Sequence, residues 1–170
     1  MTETEFKKYQ TFSQRLGAGI IDGIIFLPLV FLTPENADKS IPWIILQNGL
    51  YIIYSIIGHH KFGQTLGKRL TFVKVVQNND ETKLLSFEQA FKRDLISIIF
   101  VVTEILVIAL NLAETDFGQI VLLFAPFIWL FAEIVTMLFN NKRRSLHDFI
   151  AASVCIDITK KTEWEKKYGA

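Results

Sequence analysis

Four long apolar stretches dominate this sequence and restrict the folds open to it. They cover residues 16–32, 41–58, 95–112 and 120–139. A helix that crosses the hydrocarbon core of a bilayer needs about 20 mostly apolar residues, with a range of about 17 to 25. A soluble protein with four core helices is the alternative, but such helices usually keep a polar face. Runs such as IIFLPLVFL have none. We therefore predict an all-α membrane protein, a four-transmembrane-helix bundle.

The composition agrees with one membrane domain. Of the 170 residues, 51% are hydrophobic and 15 are Phe. We expect a short N-terminal segment over 1–15, a membrane domain over 16–158 and a tail over 159–170. The polar N-terminus lacks the pattern of a cleaved signal peptide. The net charge of +1 does not suggest nucleic-acid binding, and the single Cys155 excludes an intrachain disulfide.

The positive charges predict how the chain is oriented in the membrane. Lys and Arg concentrate in cytosolic segments. Of the 18 Lys and Arg residues, only Lys39 lies in the loop between the first two stretches or the loop between the last two. The others lie in the N-terminal segment, the central loop and the tail. The sequence therefore predicts cytosolic N- and C-termini in a multi-pass protein of the plasma membrane.

The central loop contains a short β-rich segment. Residues 71–77 (TFVKVVQ) are β-branched and aromatic, and Asn78-Asn79-Asp80 supplies turn residues. Leu84-Leu85 then offers a second short strand, so we predict a β-hairpin-like cytosolic loop.

Two helix-start signals flank the later spans. Ser86 with Gln89 and Ser145 with Asp148 each have the spacing of a capping box. The first predicts a helix that leads into span three. The second begins the apolar segment 146–158, which we expect to lie against the membrane or the loop.

Three carboxylates interrupt the predicted spans: Asp22, Glu104 and Glu133. A charged residue near the centre of a membrane helix costs about 2.5–3.5 kcal/mol on insertion scales, so such residues are candidate ion or proton sites. The alternative is that they are protonated or paired and hold helices together. Polar residues of span two could join them in a polar track: Gln47, Asn48, Tyr51, Tyr54 and Ser55.

Span one combines charge with small residues. Arg15 and Asp22 are seven residues apart and so share a helix face. Gly19 and Gly23 flank Asp22 and form a small-xxx-small pair, which lets a second helix approach closely. We therefore predict that Asp22 is buried against protein.

Enzyme and cofactor motifs fail on inspection. GQTLGK, at residues 63–68, resembles a phosphate loop, but its glycines are too close and Arg69 stands where Ser or Thr must bind magnesium. Adjacent His59 and His60 cannot share a helix face, so interfacial histidines are favoured over a metal site. No nucleophile motif is present. We expect no enzyme, cofactor or metal.

Four motifs, in order, resemble the RDD family of small bacterial membrane proteins. They are QRLGAGIIDGII with Arg15 and Asp22, GQTLGKRLTFVKVV with Gly63, Thr65, Gly67 and Lys68, FKRDL with Arg93, and RRSLHDFIAASVCI with Asp148. Asp148 is the better candidate for the second aspartate of the family motif, and Asp94 the poorer one. The resemblance implies a candidate transporter of undefined ligands, with some members linked to cation/proton antiport. It implies nothing for Glu104 or Glu133.

Two functions follow as hypotheses. The first is a small secondary transporter or cation/proton exchanger, acting as a homo-oligomer, with Asp22 and Glu133 as ion or proton sites. The second is a non-transporting membrane scaffold, assembly or lipid-binding factor, because four spans make a thin bundle. Convergence of Asp22, Glu104 and Glu133 on one cavity would favour transport, and dispersal would favour the scaffold.

Two local arrangements are expected near the membrane surface. Arg15, Asp22 and Asp148 are predicted to form one network in which Arg15 pairs with Asp148 and Asp22 stays available for a proton or cation. Gly63, Gly67 and Lys68 are predicted to shape a tight turn after span two. The basic residues of this loop either set the topology or also attract anionic lipid.

Overall fold

The fold is mostly helical. The computed structural model describes residues 7–33 and 40–159. Its helices are α1 (Phe12–Phe31), α2 (Ile41–Ile57, continued by a π-helical turn, Gly58–Phe62), α3 (Leu66–Leu70), α4 (Phe87–Ala109), α5 (Asp116–Leu138) and α6 (Leu146–Ile150). Two strands complete it: β1 (Val73–Gln77) and β2 (Ser153–Asp157). The predicted tail beyond Thr159, and the loop that contains Lys39, lie outside the described residues.

Three helices of the described chain are long and apolar enough to cross a membrane. These are Phe12–Phe31, Ile41–Phe62 and Asp116–Leu138. They cover the first, second and fourth predicted spans. Their large apolar side chains remain mostly exposed, which suits helices whose surroundings are lipid.

Most of the third predicted span, residues 95–109, lies within α4, which begins before the apolar stretch 95–112 and ends three residues short of it. Ser86 caps the N-terminus of α4: its side chain accepts from the Gln89 backbone N–H, while the Gln89 side chain accepts from the Ser86 N–H. The predicted capping box is thus confirmed. The first turns of α4 carry Lys92, Arg93 and Asp94, and the helix ends at Ala109.

The predicted hairpin is wrong in its pairing. Strand β1 forms as expected, but its partner is β2, which runs antiparallel to it with Val75 opposite Cys155. Leu84 and Leu85 are not in a strand. Leu85 instead fills the core beneath β1, where it is almost fully buried. Of the two positions expected for segment 146–158, the structure shows the one against the loop.

The two strands, α3 and α6 form a small unit at one end of the helices. We call residues 63–86 and 140–158 the two-strand module. Its core joins Val73, Val75 and Cys155 to Ile56 of α2 and Ala90 of α4. The N-terminal ends of α1 and α4 and the C-terminal ends of α2 and α5 all reach this module. Polar side chains that lie far apart in the sequence therefore meet here.

Candidate functional site

Arg15 and Arg93 meet on one carboxylate, that of Asp148. The Arg15 Nη1 atom lies 2.9 Å from Asp148 Oδ2, so the predicted ion pair is present. Arg93 Nη1 pairs with the other oxygen, Oδ1. Asp148 is 0% exposed. The contact therefore joins α1, α4 and α6 in a single buried ionic group.

Local hydrogen bonds hold Asp148 in position. It is the third residue of α6, and the Ser145 backbone N–H donates to its Oδ2 at 3.1 Å. The Ser153 hydroxyl, at the start of β2, donates to Oδ1 at 3.1 Å. Burial alone would raise the pKa of Asp148, but the guanidinium groups of Arg15 and Arg93 hold it well below its usual value. Asp148 is thus a fixed anion.

His147 connects this ionic group to α5. Its Nε2 lies 3.1 Å from Arg15 Nη2 and 2.9 Å from Arg93 Nη2, while its Nδ1 lies 2.8 Å from Glu133 Oε1. Because guanidinium groups only donate, Nε2 must be the unprotonated acceptor and Nδ1 must carry the proton. Burial, followed by the charge on Arg93, lowers the pKa of His147 to about 4. The imidazole is therefore neutral at pH 7.

Asp22 lies apart from that group, so the predicted network of three is wrong in this respect. Its carboxylate accepts hydrogen bonds from the Tyr54 hydroxyl at 2.7 Å, the Thr65 hydroxyl at 2.7 Å and the Gly67 backbone N–H at 2.8 Å. All three donors are neutral groups. Asp22 is 4% exposed, in agreement with the predicted burial against protein.

Gly67 makes this environment of Asp22 sterically feasible. A Cβ at this position would lie 2.2 Å from the Ala18 carbonyl oxygen of α1 and 2.9 Å from the Asp22 carboxylate. Only glycine lets α3 approach α1 closely enough for its N–H to reach Asp22. Gly63 supplies the preceding turn with a left-handed φ of 69°. Gly63 thus lies in a turn after span two, as predicted, whereas Lys68 lies within α3 and contacts His59.

A second polar group lies between α2, α4 and α3. The Lys68 Nζ lies 2.6 Å from His59 Nε2, and His59 Nδ1 lies 3.3 Å from the Ser55 hydroxyl. Ser55 in turn donates to Asp94 at 2.8 Å. His59 is 2% exposed and is thus buried against protein. His60 instead faces the carbonyl of Leu85.

Glu104 occupies a third environment. It lines a cavity of about 240 Å³ with Asn48, Tyr51 and Ser97 between α2 and α4. It also borders a second cavity of about 240 Å³ against α5. The predicted polar track is thus present in part, since Asn48, Tyr51 and Ser55 follow the interface between α2 and α4. Within the described residues, Glu104 borders these two cavities, whereas Asp22 contacts Tyr54, Thr65 and Gly67, and Glu133 contacts His147. This dispersal favours the scaffold.

The glycine pair of α1 does not mediate helix packing within the described chain. A Cβ at Gly19 or at Gly23 would meet nothing within 4 Å. Asp22 is buried instead by contacts with α2 and with Thr65 and Gly67 at α3. The prediction of close approach by a second helix at Gly19 and Gly23 is therefore wrong for the single chain, because α3 supplies the cover.

Sequence reasoning missed His59, His147 and Asp94 as members of buried polar groups. Two local signals were available. Ser55 and His59 stand four residues apart and so share a helix face. His147 precedes Asp148 in a short helix that follows a capping signal. Their partners, however, come from other helices and depend on the tertiary fold.

Comparison with known proteins agrees with the motifs. The family model described as the RDD family matches residues 9–152. This match covers most of the chain and confirms the resemblance seen in the sequence. No curated protein and no solved structure matches the chain.

Proposed function

Because this chain belongs to the RDD family, whose members are membrane proteins, we propose that it is a four-span, non-enzymatic exchanger of a monovalent cation for a proton. It acts in the plasma membrane with both termini in the cytosol. Asp22 is its cation or proton site. The exchange couples the movement of one ion to that of the other.

The fourth span of this proposal is α4. At about 1.5 Å per residue, its 23 residues measure about 35 Å, longer than the hydrocarbon core of about 30 Å. Apart from Glu104, its charged residues cluster at the end next to the two-strand module, where Arg93 and Asp94 are buried against protein. The distribution of Lys and Arg supports a cytosolic location for that module.

The environment of Asp22 is the observation that carries the exchange function. It is a buried carboxylate within a candidate membrane span, and its hydrogen-bond partners are neutral hydroxyl groups and one backbone N–H. Carboxylate and hydroxyl oxygens suit a small hard cation, and a buried acid can instead take a proton. Glu133 is less suitable, because His147 occupies its carboxylate. Glu133 is therefore a hydrogen-bond partner of His147 in this proposal and not an ion site.

A flux assay tests this proposal directly. The purified chain is reconstituted in vesicles that contain a pH-sensitive dye, and a sodium or potassium gradient is imposed. We expect proton movement with the wild type and none above protein-free vesicles with Asp22→Asn. Asp116→Asn, an exposed acid at the start of α5, is the matched control and should behave as the wild type. Wild-type flux from Asp22→Asn would reject the site.

The exchanging unit in this proposal is a homo-oligomer. The face of α1 that carries Gly19 and Gly23 is open in the single chain and is bordered by exposed Ile20 and Ile24. Small residues of this kind permit close helix contacts between copies in a membrane. Native mass spectrometry from lipid nanodiscs should show a dimer or larger species, and Gly23→Ile should shift it toward monomer. A wild-type monomer would contradict this part.

The scaffold remains the second candidate, favoured by the separation of the three carboxylates. Arg15, Arg93 and Asp148 lock helices together, which a scaffold would require as much as an exchanger. The same vesicles distinguish the two functions. No ion-coupled proton movement by the wild type with any monovalent cation would reject the exchanger and leave the scaffold.

A further inference from the structure

Four polar groups form an unbroken line from the two-strand module into the helix bundle. The line runs from Lys68 of α3 through His59 and Ser55 of α2 to Asp94 of α4. Successive donor–acceptor distances are 2.6 Å, 3.3 Å and 2.8 Å. Apart from Lys68, which is partly buried, all members are buried. None of the four contacts the Asp22 carboxylate.

The hydrogen bonds of this line have one consistent direction. A Lys68 ammonium can only donate, so His59 Nε2 accepts and the neutral ring carries its proton on Nδ1. That Nδ1–H points at the Ser55 oxygen, and the Ser55 hydroxyl donates to Asp94. Every group thus donates toward Asp94. Such an aligned chain is the arrangement that stepwise proton transfer requires.

We propose that Lys68, His59, Ser55 and Asp94 form a proton relay between the cytosolic loop and the interior of the bundle. The relay rests on the proposed exchange function and supplies its proton path. Lys68 gives a proton to His59 Nε2, His59 gives its Nδ1 proton to Ser55, and Ser55 gives its hydroxyl proton to Asp94. The result is a neutral Lys68 amine, the other His59 tautomer and a protonated Asp94. One proton has moved, and no atom or charge is left unbalanced.

The entrance of the relay suits its role. Lys68 is partly exposed, and its neighbour in the sequence, Arg69, is exposed. Burial, and then the charge on Arg93, lower the pKa of Lys68 to about 8. An amine with a pKa near the ambient pH can release and regain a proton readily.

The inner end of the relay lies one helical turn from the cavity that Glu104 lines. Ser97 lies one helical turn beyond Asp94, and Tyr51 lies one turn beyond Ser55, and both line that cavity. Tyr51 packs near Tyr54, with 6.4 Å between the ring centroids, and the Tyr54 hydroxyl donates to Asp22. A proton arriving at Asp94 would therefore change the field at the Asp22 site, which is the coupling that exchange needs.

Several charged or titratable groups act electrostatically on the relay. Arg93, His147 and Asp148 act on His59, and Arg93 also acts on Lys68 and Asp94. The π-helical turn at Gly58–Phe62 follows Ser55 directly and carries His59. Turns of this kind occur frequently at functional sites, because they redirect side chains within a helix.

Nitrogen NMR tests the relay without any transport measurement. The chain is labelled with ¹⁵N-histidine and placed in lipid nanodiscs, and the three histidines are assigned by substitution. We expect His59 to carry its proton on Nδ1 at neutral pH. Its ¹⁵N shifts should change as pH rises through about 8, where Lys68 deprotonates. Lys68→Gln should abolish that change, and the matched control Lys61→Gln should leave it intact.

Proton flux in reconstituted vesicles tests whether these four groups transfer protons. Ser55→Ala removes the bridging hydroxyl and should lower the proton flux by about 100-fold, the order of magnitude of a lost proton-transfer group. Ser55→Thr keeps a hydroxyl and should recover most of the flux, which a purely structural role for Ser55 would not predict. All variants are compared at equal amounts of reconstituted protein.

The outcomes separate the relay from the exchanger. The relay is rejected if His59 carries its proton on Nε2 at neutral pH. It is also rejected if the ¹⁵N titration of His59 is unchanged in Lys68→Gln. Undiminished flux in Ser55→Ala overturns it as well. Absent flux in the wild type rejects the exchanger instead, while the His59 titration still decides whether Lys68 and His59 exchange protons as the relay demands.

Discussion

The contact between α1 and α3 depends on the absence of a Cβ atom at Gly67. A Cβ at this position would overlap the Ala18 carbonyl oxygen, which belongs to helix backbone and cannot yield easily. We expect Gly67→Ala to destabilise the protein by about 1–3 kcal/mol, the usual cost of overpacking. Thermal unfolding in detergent would measure it. Gly49→Ala, in α2, is the control because its Cβ would meet nothing within 4 Å. Equal melting temperatures for both variants would contradict this account.

A single residue, His147, should make the stability of the folded protein depend on pH. Its folded pKa is about 4, whereas the unfolded chain protonates the imidazole near about 6.5. Between these values the unfolded state binds more protons, so stability falls as pH drops through that window. We expect the melting temperature to fall between pH 7 and pH 4.5 and to fall less in His147→Gln. The depressed pKa of Asp148 adds a further loss only below its ordinary value. An equal pH dependence in both proteins would refute the assignment of a neutral His147.

At the scale of secondary-structure elements, the buried position of β2 depends on the ionic group formed by Arg15, Arg93 and Asp148. Cys155 lies in β2 opposite Val75 and is 2% exposed. The thiol of the folded protein should therefore resist N-ethylmaleimide and react only after unfolding.

Asp148→Asn leaves Arg15 and Arg93 without their anion, and removing one partner of a buried ion pair costs about 3–5 kcal/mol. We expect this variant to react much faster, and Asp116→Asn to react as the wild type does. Rapid labelling of the wild type would contradict the buried β2.

At the scale of the whole molecule, α4 decides the topology. A reporter inserted near Asn79, and another fused after Ala170, should both report a cytosolic location. Reporters near Asp38 and Asp116 should report the outside, because α4 lies between Asn79 and Asp116 and must cross the membrane in a four-span protein. A cytosolic signal from Asp116 would reject that crossing and with it the proposed four-span arrangement.

Local patterns in the sequence were enough to predict several structural elements of this protein. The apolar lengths identified helices, and three of them are long and apolar enough to span a membrane. The Ser86–Gln89 spacing placed the start of α4, and β-branched residues placed β1. The family motifs identified Arg15 and Asp148, which do pair. These features could be predicted because a helix start, a strand and an apolar stretch each depend on residues close together in the chain.

The tertiary structure alone decided which distant groups meet. β1 pairs with β2 rather than with Leu84 and Leu85, because the helices between them bring residues 153–157 back to the same end of the bundle. Asp22 is surrounded by Thr65 and Gly67 instead of joining Arg15, since α3 packs against α1 there. His59 is buried because Lys68 turns back toward it. Each contact joins segments whose approach depends on the packing of the whole chain, and helical or strand periodicity carries no information about that packing.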